Sequence, residues 1–346
     1  MRCYIVPPYL LDRLADNDDP ALSRMAVAAR QSRHRDAPLR EARAAASLPR
    51  QSATTRRLEA PRRTIFDAGH AETLPGTPVR KEGAPAGNDP AVTQAYDGLG
   101  STHELYRAAY SRASVDDRNL PLLASVHYGE DYDNAFWNGE QMVFGDGDGV
   151  VFQGFTDSLT VIGHELTHGV TQYTADLRYE GQSGALNESI SDVFGALVEQ
   201  YALGQSAAQA SWLIGAGLFT PKVHGVALRS MKAPGTAYDD SVLGKDPQPA
   251  TMAGYVRTRD DSGGVHLNSG IPNHAFYLAA TAIGGNAWEG AGRIWYDALT
   301  GGAVQADADF ARFAAVTEDA ASARFGADSA ERRAVAAAWG AVGVTG

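Results

Sequence analysis

Two histidines four residues apart, with a glutamate directly after the first, His164-Glu165-Leu166-Thr167-His168, are the residues of this sequence best suited to chemistry. They fall in a run whose apolar members, Leu159, Val161, Ile162, Leu166 and Val170, predict a helix with one buried face. Positions i and i+4 share a helix face, so both imidazoles reach one metal ion, while Glu165, one step round, reaches a water bound to it. A catalytic zinc takes three protein ligands and keeps a fourth position open; Glu188, in Leu186-Asn187-Glu188-Ser189-Ile190-Ser191-Asp192, is the natural third. The resulting set suits metal-activated hydrolysis. Metal-bound imidazoles hand their second N–H to a carboxylate or carbonyl, and Asp192, one turn beyond Glu188, is expected in that role with Asn187 beside it. The single cysteine, Cys3, excludes both an intramolecular disulfide framework and a zinc site made of thiolates.

Those side chains need a scaffold. At 346 residues, 44% hydrophobic and 21% charged, the chain has the balance of a globular protein of about two lobes, which excludes a structureless polypeptide. No stretch approaches twenty apolar residues, so no membrane association is expected, and the opening run, broken by Pro7 and Pro8, is too short for a secretory signal. The first half reads as mixed: a hairpin of 64–67 with 79–80 around Leu74-Pro75-Gly76, helices over 89–99 and 101–110, and strands over 122–128 and 141–144, the last ended by a Gly-Asp-Gly-Asp-Gly turn. The second half reads as helices over 159–173, 189–203, 270–283, 287–298, 310–325 and 330–342. This predicts an α+β chain with a cleft near residue 180, where the lobes join.

Leu22, Met25, Ala26 and Ala29 recur at helical spacing within 20–46, which reads as an exposed, locally helical leader. The Ser-, Thr-, Pro- and Arg-rich run from Ser47 to Arg63 is where a processing boundary is expected. The expected division is 1–50, 51–180 and 181–346. Residues 1–63 carry 13 Arg against 7 acidic residues, while the remainder carries 17 basic against 34 acidic, so the two parts attract. Nucleic acid is excluded as a partner: the arginines have no interleaved aromatics, and the acidic remainder repels phosphate.

HELTH, a nineteen-residue spacer and the glutamate of Asn187-Glu188-Ser189-Ile190-Ser191-Asp192 resemble the thermolysin-like zinc metalloproteases. Related zinc aminopeptidases have a shorter spacer and an exopeptidase motif absent here. The likeness continues over most of 64–346, through Asn134-Ala135-Phe136-Trp137-Asn138, Leu228-Arg229-Ser230-Met231 and Gly263-Gly264-Val265-His266-Leu267-Asn268. The leader with Pro7-Pro8-Tyr9-Leu10-Leu11 is similar to the small pro-segment of the protealysin subgroup.

The resemblance implies a two-lobed α+β fold, a β-rich lobe carrying the zinc helix and a mainly helical lobe, preceded by a short helical pro-segment. It implies a zinc endopeptidase made as a zymogen, acting on peptides and proteins, inhibited by its own pro-segment and monomeric. His164, His168 and Glu188 would hold zinc, and Glu165 would take the proton of the attacking zinc-bound water. Tyr179 and His266 would stabilise the oxyanion, with Asp261 orienting His266. Asn134 and Ala135 would bind substrate backbone, and Arg229 a substrate carbonyl. Phe152, Val161, Ile214 and Leu228 would line a pocket favouring cleavage before bulky hydrophobic residues; for Val161 and Ile214, core packing is an equal reading. Calcium remains an option, but of the family's double-calcium site Glu199 survives while Thr160, Leu213 and Ala216 stand at the neighbouring positions, so that site is expected to be lost. Cys3 would silence the precursor if its thiolate took the open zinc position; a tolerated free thiol is the other reading. The rival functions are a catalytically silent binding protein of the same fold, disfavoured by the presence of Glu165 and His266, and an aminopeptidase. Export without a standard signal is expected, with cytoplasmic residence the alternative.

Overall fold

A computed structural model describes residues 3–41 and 59–344, without the side chains of Cys3 and residues 37–41. Most of the 47–63 run where the processing boundary is expected, and the Cys3 thiol, lie outside what it describes. Six strands form one sheet: β1 (Cys3–Tyr4), β2 (Arg63–Asp67), β3 (Thr77–Lys81), β4 (Leu122–Val126), β5 (Ala135–Trp137) and β6 (Met142–Phe144), in the order β1-β5-β6-β4-β2-β3. The expected hairpin is β2 with β3, and β4 runs parallel to both β2 and β6. Alternation sorts the side chains of β5 and β6: Ala135, Trp137, Met142 and Phe144 enter the main core, while Phe136 and Val143 join Tyr4, Tyr128 and Tyr132 on the other face.

The N-terminal residues depart from the exposed leader expected. Strand β1 adds antiparallel to β5, pairing Tyr4 with Phe136. Helices α1 (Pro8–Ala15) and α2 (Ser23–Glu41) follow, and Leu10, Leu11, Leu14, Met25 and Ala29 are buried in the main core. The apolar positions at helical spacing are therefore a docking face. Arg13 donates to the carbonyls of Ser241 and Val242, Arg24 pairs with Asp131 at 2.8 Å, and Arg35 pairs with Glu72 at 2.7 Å, which gives the charge asymmetry its contacts.

Helix α3 (Pro90–Tyr110) is one element where two helices were expected. Asp89 caps it by accepting from the N–H groups of Ala91 and Val92, with Pro90 in its first turn. Gly100, where the break was expected, does not interrupt it: a Cβ there would collide with Arg63 Nη1, which donates to the Tyr96 carbonyl at 3.0 Å, so the glycine leaves room for that guanidinium. Helix α4 (Leu159–Gln172) carries the HELTH residues, and α5 (Gly181–Leu203) begins eight residues before its expected start. The apolar pattern failed there because Asn187 and Glu188, though polar, point inward and are buried. Short strands β7 (Leu213–Ile214) and β8 (Arg229–Ser230) pair with one another; α6 (Asp261–Asn268), α7 (Gly270–Ile283), α8 (Ala291–Thr300), α9 (Phe310–Phe325) and α10 (Ala330–Ala341) complete the helical lobe. No described helix is long and apolar enough to cross a membrane.

Helices α4 and α5 cross at two glycines. A Cβ on Gly163 would meet Gly195 Cα at 3.0 Å, and one on Gly195 would meet the Thr160 carbonyl oxygen at 2.5 Å. Only hydrogen at both positions permits this approach, which brings Glu188 to the histidines. Gly195→Ala is expected to push the helices apart and to lower stability by about 1–3 kcal/mol in urea unfolding, weakening metal binding in parallel. A parent-like midpoint and metal affinity would show that the crossing has slack.

Candidate metal centre

His164, His168 and Glu188 converge: one ligand atom from each lies within 4.8 Å of the others, and all three residues are buried. The hydrogen bonds around them fix which nitrogens are free for a metal. His164 Nδ1 stands 2.7 Å from Asp192 Oδ1, a carboxylate that accepts, so Nδ1 carries the proton. His168 Nδ1 stands 2.8 Å from Asn187 Oδ1, and Asn187 donates its amide to the Leu177 carbonyl at 3.0 Å, which fixes the orientation of that side chain. Both Nε2 atoms therefore present lone pairs, 3.0 Å apart. Glu188 stands 3.5 Å from each of them, and its Oε2 is buried without a hydrogen bond. Two lone pairs and an orphaned carboxylate oxygen aimed at one point require a cation, and this nitrogen and oxygen set fits zinc.

Asp192 joins the centre to the helical lobe. Arg229 donates to both of its oxygens at 2.8 Å, from Nε and Nη2, and Asn273 on α7 donates to Oδ2 at 2.8 Å. Burial works against charge on this carboxyl, but the guanidinium and His164 outweigh it and hold the pKa well below the usual carboxylate range. Glu165 turns the other way, its Oε2 accepting from the Trp137 backbone N–H of β5 at 2.9 Å. Tyr179 donates to Glu188 and lies 3.2 Å from His266 Nε2. Asp261 accepts at 2.6 Å from His266 Nδ1 and at 2.9 Å from the His266 backbone N–H. Residues 261–264 all have positive φ, a tight left-handed turn that the Gly263-Gly264 pair makes accessible, and it delivers His266 to the centre. Burial disfavours the charged imidazole, but Asp261 and Glu188 raise its pKa.

The N-terminal strand lies across this group. His266 Nε2 is 2.9 Å from the Tyr4 carbonyl oxygen, the Ile5 N–H donates to the Ala135 carbonyl at 3.2 Å, Arg229 Nη1 donates to the Ile5 carbonyl at 2.9 Å, and the Val6 N–H donates to Asn134 Oδ1 at 3.0 Å. Asn134 also donates to Asp36 on α2, at 2.9 Å. Ile214 stands opposite Arg229 across β7 and β8, and the Leu228 N–H bonds the Ile214 carbonyl; Phe152, Val161, Ile214 and Leu228 are all buried in the core that Ile5 joins. At the positions of the expected lost calcium site, Thr160 Oγ1 bonds Ser158 and the Gly215 N–H, and burial raises the pKa of Glu199.

Sequence reasoning passed over two contributors and one connection. Ser191 Oγ lies 3.0 Å from His168 Nδ1; its place between Ile190 and Asp192, one turn from Asn187, was the available signal. Asn273 lies far along the chain and carried none. The bond from Arg229 to Asp192 joins two residues that were both named but never connected.

The family described as thermolysin metallopeptidase, catalytic domain, matches residues 49–172, and that described as thermolysin metallopeptidase, alpha-helical domain, matches 175–344. An extracellular metalloprotease of Pectobacterium carotovorum subsp. carotovorum is 50% identical over 348 residues, covering 99% of this chain and 96% of the relative. Protease PrtS of a Photorhabdus strain is 51% identical over 284 residues, or 82% and 76% of the two chains. The solved precursor of protealysin, a metalloproteinase from Serratia proteamaculans, superposes with a TM-score of 0.90 at 50% identity, covering 99% of this chain and all of that one. With both lobes matched and the facing imidazoles and carboxylate in place, the chain belongs to the thermolysin metallopeptidases and is a metalloendopeptidase.

Proposed function

We propose that this metalloendopeptidase is zinc-dependent and made as a zymogen, with residues 1–50 as leader, 51–180 as the zinc-helix lobe and 181–346 as the helical lobe. The observation that carries the reading is the backbone of residues 4–6, which makes through Asn134, Ala135, Arg229 and His266 the contacts an extended substrate would make. Here the leader is its own inhibitor, seated where peptides go.

His164, His168 and Glu188 hold the metal; zinc, when bound, supplies a Lewis acid that acidifies water and polarises a peptide carbonyl. Glu165, positioned by the Trp137 N–H, takes the proton of the attacking water and delivers it to the departing amine. The Tyr179 hydroxyl and His266 Nε2, oriented by Asp261, donate to the carbonyl oxygen as charge develops there. Arg229 and Asn134 fix the backbone on the leaving side. The fully buried Ile5 occupies the position just after the Tyr4 carbonyl that His266 contacts, which supports a preference for bulky apolar residues after the scissile bond. Thr160, already hydrogen-bonded where a calcium-binding carboxylate would stand, supports stability by packing without that double site. The extracellular relative supports action outside the cell.

The purified precursor, incubated with zinc, is expected to shorten to a species lacking the leader, by intact mass and N-terminal sequence, while Glu165→Ala stays whole. The mature enzyme should cut N-blocked peptides with Leu, Ile or Phe after the scissile bond about tenfold or more faster in kcat/KM than those with Gly. Activity confined to unblocked peptides would instead make it an aminopeptidase. Removing zinc with a chelator should abolish cleavage and restore it on re-addition, and Asp192→Ala should weaken zinc affinity by about 10- to 100-fold in competition with a chromogenic chelator. Unchanged affinity would mean that Asp192 does not orient the ligand.

A further inference from the structure

Beneath the leader lie two carboxyl groups that the reaction leaves unused. Asp133, next to Asn134, and Asp148, in the 145–149 turn, are both fully buried. Asp148 Oδ1 accepts N–H bonds from Val150, Val151 and Phe152 at 2.9, 2.8 and 3.0 Å. Asp133 Oδ1 accepts from the Asp148 backbone N–H at 2.8 Å, which brings the Asp133 carboxyl near enough to Asp148 to feel its charge. The second oxygen of each has no hydrogen-bond partner, and among the described residues neither group forms an ion pair. Two unpaired buried anions side by side are costly. A divalent cation would want six or more oxygens, and only two carboxylates are present.

We propose that Asp133 and Asp148 hold a single proton between them and that this acid pair is a pH-sensitive latch for the leader. A proton on Asp133 Oδ2, donated to Asp148 Oδ2, satisfies both orphaned atoms; the three N–H donors on Asp148 make it the acceptor. Burial, and next the charge of Asp148, push the Asp133 carboxyl well above the usual range. The lid is α2: its buried Ser32 accepts the Asp133 backbone N–H at 3.0 Å. Other charges facing the pair are already engaged. From α2 these are Arg35 with Glu72, Arg24 with Asp131, and Asp36 with Tyr132 and Asn134; from the turn, Asp146 with His127.

The folded chain binds this proton more tightly than the unfolded one. Its contribution to stability is therefore complete below the ordinary carboxylate range and is lost as pH rises through the raised value of Asp133. Loss of the proton leaves two anions under α2 and loosens the leader, so acid favours the docked state and alkali its release. This last step rests on the zymogen reading above.

The test uses the full-length chain carrying Glu165→Ala, so that it cannot trim itself. Infrared difference spectra against Asp133→Asn should show, near neutral pH, a protonated-carboxyl C=O band present only with Asp133; this arm is independent of what the leader does. Hydrogen exchange in residues 23–36, corrected for intrinsic rates, should lose at least tenfold in protection as pH is raised with Asp133 present and stay level with Asp133→Asn, whose amide still donates to Asp148. Absence of the band overturns the shared proton, and equal pH dependence in the two chains overturns the latch. If Asp133→Asn does not fold, Asp133→Ser serves in both arms.

Discussion

Two nitrogen lone pairs held 3.0 Å apart in a dry interior repel one another, and the architecture around the centre resists that repulsion. Asp192 and Asn187 accept the Nδ1–H bonds of His164 and His168 and so hold both rings in this orientation, and Arg229 with Asn273 keeps Asp192 charged in a place where burial alone would neutralise it. The glycine crossing of α4 and α5 makes the distance short, and the Glu188 carboxylate brings a matching negative charge. A divalent ion turns each of these costs into a bond. Electrostatic demands of this kind explain why both helices bury polar side chains among apolar ones, His164, Glu165 and His168 on α4 and Asn187, Glu188 and Asp192 on α5.

The chemistry was the most legible part of the sequence, because metal ligation prescribes residue types and spacing more tightly than packing does. HELTH fixed a helix face through the 3.6-residue period, and Glu188 was found by its distance along the chain. Arg229 and Asn134 could be named but not connected, since the bonds from Arg229 to Asp192 and from Asn134 to Asp36 join remote segments. Helix boundaries failed where function overrode pattern: α5 was shortened because buried Asn187 and Glu188 look like surface residues. Gly100 looked like a break in α3 because a glycine that leaves room for a neighbouring side chain and one chosen for a turn are the same letter.

The exposure of the 20–46 helix was misread for a related reason. Short apolar stretches in a basic, alanine-rich run carry too little signal to distinguish a free helix from one whose partner surface lies hundreds of residues away. Arg13 reaches Ser241 and Val242, and Tyr4 reaches His266, contacts no local pattern could announce. Attraction between a basic segment and an acidic body was correctly anticipated, but its value is registration as much as affinity: the ion pairs at Arg24 and Arg35 hold α2 while β1 lies in the cleft.

Strand β1 is one of the two edge strands of the sheet, and β5 lies directly inside it. Detaching Cys3 and Tyr4 would strip that rim and leave a row of bare amides, which recruits any extended polypeptide without regard to its sequence. Under the function proposed above, a digestive surface and an adhesive one are the same feature, and a newly made molecule would carry its own blotter, shielding neighbours and sister copies alike until the rim is wanted.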